Sequence, residues 1–385
     1  MPLRLRHLAL LALLAWVVAM IHEKATTPGV QLTTAPPAAE GGLRLVMLLA
    51  LVGMTAVVGL LAAIRPKEVL GPLRDDPQIT LLAGLAGVLF LVSLAILRVD
   101  SAAYAVLFLV VILFCAYCNA AFPGRFFLVV AGVLVLGLVA FVALFGLPTG
   151  RVIGFIHPNA IGSFGLATTY FASRSGHPAR YGLYAVALGF ALAVNSRYAI
   201  LAMAIIIAFE ALQSMRHVTW PKLLLGAAAG VGGLLVLTAA ADWIIADVLR
   251  IYDPARGLAG GISGRFDQYA DFGWQIAERP FLGYGFRNRE AYIPAHNGFL
   301  NFLLENGVLV TGLLAVCLGY AIVSNARDPG DGPLPRNRLI LGHWIAWALA
   351  GFFEPQIINF GDTFALMTMV LLTDTRRIRS RPGET

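Results

Sequence analysis

In the C-terminal third of the chain, A-H-N-G-F-L-N-F-L-L-E-N-G places His296 ahead of Asn297, Asn301 and Glu305, which recur at four-residue steps. On a helix that spacing lays three polar side chains along one stripe. A histidine at the top of the stripe titrates near neutrality and suits removal of a proton from a hydroxyl; an interfacial histidine that caps a helix would read the same way. Arg265 in G-R-F-D-Q-Y, Arg197 in N-S-R-Y-A and Arg151 before V-I-G-F-I-H-P-N all stand beside apolar runs. A guanidinium at a helix start is unfavourable unless an anion joins it, because that end already carries partial positive charge and free N–H donors. Gathered together, such arginines would suit a diphosphate; the competing reading is that they snorkel to lipid headgroups. Arg250, Arg256, Arg279, Arg287 and Arg289 share the same long loop as Arg265, so spacing alone does not choose among them. His157 and Asn159 flank Pro158, which is expected to interrupt a helix and free backbone carbonyls there. A kink with no chemistry fits equally.

These residues need a scaffold, and the composition names its class. Apolar residues make up 59% of the chain and charged residues only 13%, in blocks of membrane-spanning length, which excludes an ordinary soluble domain. The expected architecture is an all-α polytopic membrane protein of about twelve helices. Spans are expected near 3–21, 43–64, 79–97, 102–122, 126–147, 152–173, 181–195, 197–213, 222–245, 298–323, 339–353 and 360–373. Spans one to nine occupy 1–245, an extracytoplasmic loop carrying part of the site occupies 246–297, the last three spans fill 298–373, and a basic tail covers 374–385. Arg65, Lys67, Arg74, Arg125, Arg174, Arg180, Arg327 and the tail arginines fall on one side of this arrangement, so both termini are expected to be cytoplasmic. The net charge of +7 comes mostly from this bias and the tail. It points to anionic lipid and not to nucleic acid. The first span is read as a retained anchor, since no small-x-small cleavage site follows it.

Within the long loop, Phe266, Tyr269, Ala270, Gly273, Trp274 and Ala277 recur at three- and four-residue steps, with Asp267, Gln268, Asp271, Gln275 and Glu278 between them. This pattern predicts an amphipathic surface helix from Ser263 to Arg279-Pro280, Trp274 on its apolar face and Gln275 on its wet face. Asp267 and Asp271 read as part of that wet face before they read as a metal site. Cys115, Cys118 and Cys317 lie within apolar spans, where packing is the expected role despite the C-x-x-C spacing of the first two. The chain has no H-E-x-x-H, no phosphate-binding or dinucleotide glycine motif and no G-x-S-x-G. No metal and no cofactor is expected.

The pieces G-x-x-H-P-N-x-x-G, N-S-R-Y-A, G-R-F-D-Q-Y-x-x-x-W-x-x-x-x-E-R-P-F-L-G-Y-G-F and A-H-N-G-F-L-N-F-L-L-E-N-G, in this order, resemble the O-antigen ligase and polysaccharide polymerase family of bacterial membrane glycosyltransferases. The resemblance covers roughly the C-terminal two-thirds of the chain; the first five spans match only in hydrophobicity. It implies a GT-C-like, metal-independent enzyme of the inner membrane. Such an enzyme moves a glycan from an undecaprenyl diphosphate carrier to an acceptor glycan or lipid at the periplasmic face, in O-antigen or exopolysaccharide assembly, with a flippase and a chain-length regulator as partners. Carried over, His296 is the base or acceptor-orienting residue, and Arg197 and Arg265 bind the diphosphate. Arg151, His157, Asn159, Asn297, Asn301 and Glu305 are the expected substrate-binding residues around them. A polymerase is slightly favoured over a ligase that joins finished glycan to lipid A core or protein. A transporter of anions is the reading from another class, and a non-catalytic scaffold a third.

Overall fold

The computed structural model describes residues 3–26, 40–122, 124–146, 158–214, 272–288, 291–293, 297–327, 337–354, 357–358 and 360–374. Among these residues every regular element is a helix. In chain order they are α1 (Leu3–Thr26), α2 (Glu40–Ile64), α3 (Pro66–Val69), α4 (Gly71–Asp75), α5 (Pro77–Ala95), α6 (Val99–Ala121) and α7 (Gly124–Phe145). They continue as α8 (Pro158–Ser175), α9 (Arg180–Ala193), α10 (Arg197–Ser214), a short α11 (272–278), α12 (Gly298–Arg327), α13 (Asn337–Gly351) and α14 (Thr363–Leu372). The stretches Leu5–His22, Leu45–Ile64, Pro77–Ala95, Val99–Ala121, Gly124–Leu144 and Gly298–Asn325 are long and apolar enough to cross a bilayer, and α9, α13 and α14 are apolar but shorter. The protein is thus an all-helical membrane-spanning protein. Each expected span has a helix at its place except the ninth, 222–245, which lies outside the described residues together with the loop up to residue 271 and the tail from residue 375.

In the sixth span the described helix runs unbroken from Pro158 to Ser175; the residues ahead of Pro158, where the expected interruption falls, lie outside the described residues.

α8 is the hub of the bundle, packing on α7, α9, α10 and α14, and residues 161–173 are buried without a break. A helix surrounded by others in lipid gains little from added hydrophobicity; it gains from close approach, which small residues allow. Gly162 shows the need, because a Cβ there would fall 2.0 Å from Ser196 Oγ and 2.9 Å from Ala199 Cβ. That contact seats the turn between α9 and α10 directly on α8. The turn is tight because Asn195 takes a left-handed φ of 54°, which asparagine tolerates better than most residues, and Ser196 N–H donates to Ala191 O at 2.9 Å.

At the other end of α8 the arginines expected to flank the membrane are partly or largely withdrawn from the surface. Arg174 pairs with Asp374 at 2.9 Å, the two side chains only 6% and 11% exposed, and donates to Tyr170 Oη at 2.9 Å. Arg180 pairs with Glu210, which also accepts from Tyr184 Oη at 2.5 Å. His343 Nε2 and Ser173 Oγ lie 2.6 Å apart in the same layer. The excess of basic residues on this side is therefore partly an internal network and only partly a charged surface.

Candidate functional site

Two of the sequence motifs turn out to be halves of one joint. Within α12, Gly307 has φ 69° and ψ 177°, a conformation open essentially to glycine alone. This releases Val308 N–H from the helix ladder, and it donates instead to Pro280 O at 2.8 Å. In return the carbonyls of Leu304 and Glu305 accept from Tyr284 N–H at 2.9 Å and Gly285 N–H at 2.8 Å. The segment P-F-L-G-Y-G is thereby strapped along the helix. Contact is backbone to backbone: a Cβ on Gly307 would fall 2.3 Å from Phe281 C, and one on Gly283 would fall 2.5 Å from the Glu305 backbone.

Glu305 holds the rest of the strap. Its Oε2 accepts the Arg287 N–H at 3.0 Å and its Oε1 accepts the Tyr292 hydroxyl at 2.8 Å. A carboxylate 5% exposed at such depth is tolerable because donors surround it. Its oxygens thus position the loop.

α11 is helical as expected over its described part, but Gln275, expected on the wet face, is buried, while Trp274 is 57% exposed. The cause is specific pairing: Gln275 Oε1 accepts Ile293 N–H at 2.9 Å, and its backbone carbonyl accepts from Tyr284 Oη at 3.2 Å. A satisfied amide can occupy the inner face, which frees the indole for the outside. Tyr284 also donates to Glu278 at 2.8 Å. Burial and that hydrogen bond push its phenol above the ordinary value, so it stays a neutral donor.

Beside the strap, the described starts of α8, α10 and α12 and the residues just after α13 meet in a junction that we term the mouth. Gly298, the first residue of α12, abuts the 354–357 segment closely, since a Cβ there would lie 3.0 Å from Glu354 O and from Ile357 N. The Glu354 side chain, 5% exposed, accepts from Ser163 Oγ at 2.6 Å and from the Tyr198 hydroxyl. Ser163 and Tyr198 oxygens are 2.8 Å apart, and Tyr198 Oη also lies 2.8 Å from Asn159 O. A buried carboxylate thus ties α8, α10 and α13 together at the level where α12 begins.

Of the expected site residues, the structure brings Asn159, Arg197 and Asn297 to this mouth. Arg197 is half-buried as the first residue of α10, next to Tyr198. Asn297 caps α12, its Oδ1 accepting the N–H groups of Phe299 and Leu300, each at 3.1 Å, and Asn301 is buried one turn below, its N–H on Asn297 O at 3.0 Å. The Glu305 carboxylate turns to the strap. Arg151, His157, Arg265 and His296 lie outside the described residues, as do Ser263, Asp267 and Asp271. Sequence reasoning missed Ser163, Tyr198 and Glu354. The signal for Glu354 was present, because an ionisable residue closing an apolar run, here G-F-F-E-P, marks an internal partner by default.

No protein-family model matches the chain. No curated protein matches it either.

Proposed function

We propose that the protein is a bacterial inner-membrane glycosyltransferase of the O-antigen ligase and polymerase type, with about twelve spans, both termini cytoplasmic and the mouth facing the periplasm. The observation that carries this reading is convergence. The segments around Asn159, Arg197, Gly283–Gly285 and Asn297–Gly307, which carried the sequence resemblance, meet at one end of the bundle. Residues scattered for lipid contact alone have no reason to gather at one opening.

In this reading the undecaprenyl diphosphate sits with its charge at Arg197 and Arg265, and an acceptor hydroxyl loses its proton to His296. The acceptor oxygen forms a new bond to the anomeric carbon as the bond to the diphosphate oxygen breaks, inverting that carbon, and the lipid diphosphate leaves with the negative charge. Fixed guanidinium groups in a partly dry site stabilise that growing charge more than they stabilise the ground state. Glu354, Tyr198 and Ser163 act as positioning residues that hold α10, and with it Arg197, against α8. The slightly favoured product is a polymer of lipid-linked repeats, with ligation to lipid A core or protein as the alternative.

The test is the size profile of carrier-linked and surface glycans in a deletion strain complemented with wild type or His296→Ala. Single repeats on the carrier with no long chains identify a polymerase that uses His296. Long chains stranded on the carrier identify a ligase, and full rescue by the variant overturns the catalytic assignment.

A further inference from the structure

A cavity of about 570 Å³ opens between the end of α5, α11 and the strap, a volume within the ~300–1,000 Å³ typical of small-molecule sites. Tyr284 and Tyr292, ring centroids 6.0 Å apart, stand in its lining with Trp274, the most open aromatic of the three. The polar groups there include Arg98, Glu278, Arg279 and Asn288. Their bonding differs in a way that selects a ligand. Arg98 is already matched, with Asp100 at 3.0 Å and Asn288 Oδ1 at 2.7 Å, while Asn288 Nδ2 donates to Tyr284 O at 2.7 Å. Arg279 lies 5.1 Å above the Tyr284 ring and pairs with no carboxylate among the described residues.

An aromatic face beside planar hydrogen-bonding groups suits a pyranose, whose C–H face packs on the ring while its hydroxyls reach sideways. An unmatched guanidinium in the same wall adds a place for an anion, with bidentate geometry matched to a carboxylate. We propose that this cavity is a glycan subsite that holds a carboxylated pyranose unit, its ring face on Trp274 and its carboxylate at Arg279. For its place in the reaction it rests on the transferase reading: Tyr292 belongs both to the cavity wall and, through Glu305, to the joint beside the mouth. A sugar held here would be a neighbour of the one that reacts.

The experiment is calorimetric titration of the full-length protein in nanodiscs with hexagalacturonate, with neutral maltohexaose and with inorganic pyrophosphate. Saturable binding of hexagalacturonate is expected, weakened about tenfold or more, roughly one hydrogen-bonded contact, by Trp274→Ala and by Arg279→Ala. Trp274→Phe should restore it, and maltohexaose should bind more weakly. Binding that Trp274→Ala and Arg279→Ala leave intact overturns the proposal, because the indole is then a membrane-interface anchor only. So does the absence of binding to wild type, and so does competition by pyrophosphate, which would assign the cavity to the carrier's diphosphate. His296→Ala should bind hexagalacturonate like wild type. Binding without any transfer activity would sink the transferase reading and leave the subsite standing; normal transfer with no hexagalacturonate binding would do the reverse.

Discussion

Arg174 and Arg279 each lie over an aromatic ring, 4.3 Å from the Phe127 centroid and 5.1 Å from that of Tyr284, yet the two ends of the molecule treat them oppositely. Arg174 is sealed in, paired with Asp374 and bonded to Tyr170, with Arg180 and Glu210 paired nearby. Arg279 sits at a cavity with the Tyr284 ring beneath it and no carboxylate partner among the described residues. A cation whose charge is matched inside the protein fastens helices; one left unmatched beside a cavity is available to whatever enters. The Arg174 end is closed by matched charges, whereas the strap end holds a cavity with a cation in its wall.

The largest effect is expected from breaking the closed end. Arg174→Ala leaves the Asp374 carboxylate buried without its partner, and loss of one member of a buried pair costs about 3–5 kcal/mol. Thermal unfolding in detergent should show it. The double variant Arg174→Ala/Asp374→Ala should recover part of the loss, since no orphan charge remains. Strict additivity of the two single losses would mean that the pair is not the fastening it is taken for here.

A smaller effect separates two glycines of the same helix. Gly307→Ala forces a side chain onto a glycine-only conformation and into the Phe281 backbone, with backbone strain alone on the order of 1–3 kcal/mol. Gly312, which has open space around it, should gain up to about 1 kcal/mol as Ala through higher helix propensity. Equal responses from the two would show that the strap is not docked at Gly307.

Much of this was legible in the sequence, and the reasons differ by region. Span positions follow from apolar length, which the bilayer dictates, so α1, α2, α5, α6 and α7 could be bounded to within a few residues. The meeting of Asn159, Arg197 and Asn297 at one end followed from their places near the same ends of their spans. Pairings across the bundle were not legible, because nothing local in Glu354 tells of Ser163 or Tyr198, 191 and 156 residues earlier. Gln275 was misplaced for the same reason: periodicity assigns a glutamine to water, while Ile293 N–H and the Tyr284 hydroxyl hold Gln275 inside. Positive-inside counting likewise recognised the sign of Arg174 and Arg180 but not that each has a carboxylate waiting elsewhere in the bundle.

The smallest expected effect is the one that decides what Arg279 is for. An exposed cation over a ring contributes roughly 0.5–1 kcal/mol, so Arg279→Ala should lower stability by no more than about that amount in the unfolding assay used for Arg174→Ala. Arg279→Lys should be closer still to wild type, since it keeps the charge above Tyr284 and loses only the planar fork. A loss of several kcal/mol from Arg279→Ala would mean that the guanidinium is holding the strap to Tyr284, and the two ends would then differ only in which partner their arginines use. A near-neutral result leaves the residue with a charge that the fold does not need, at the edge of a cavity that can use it.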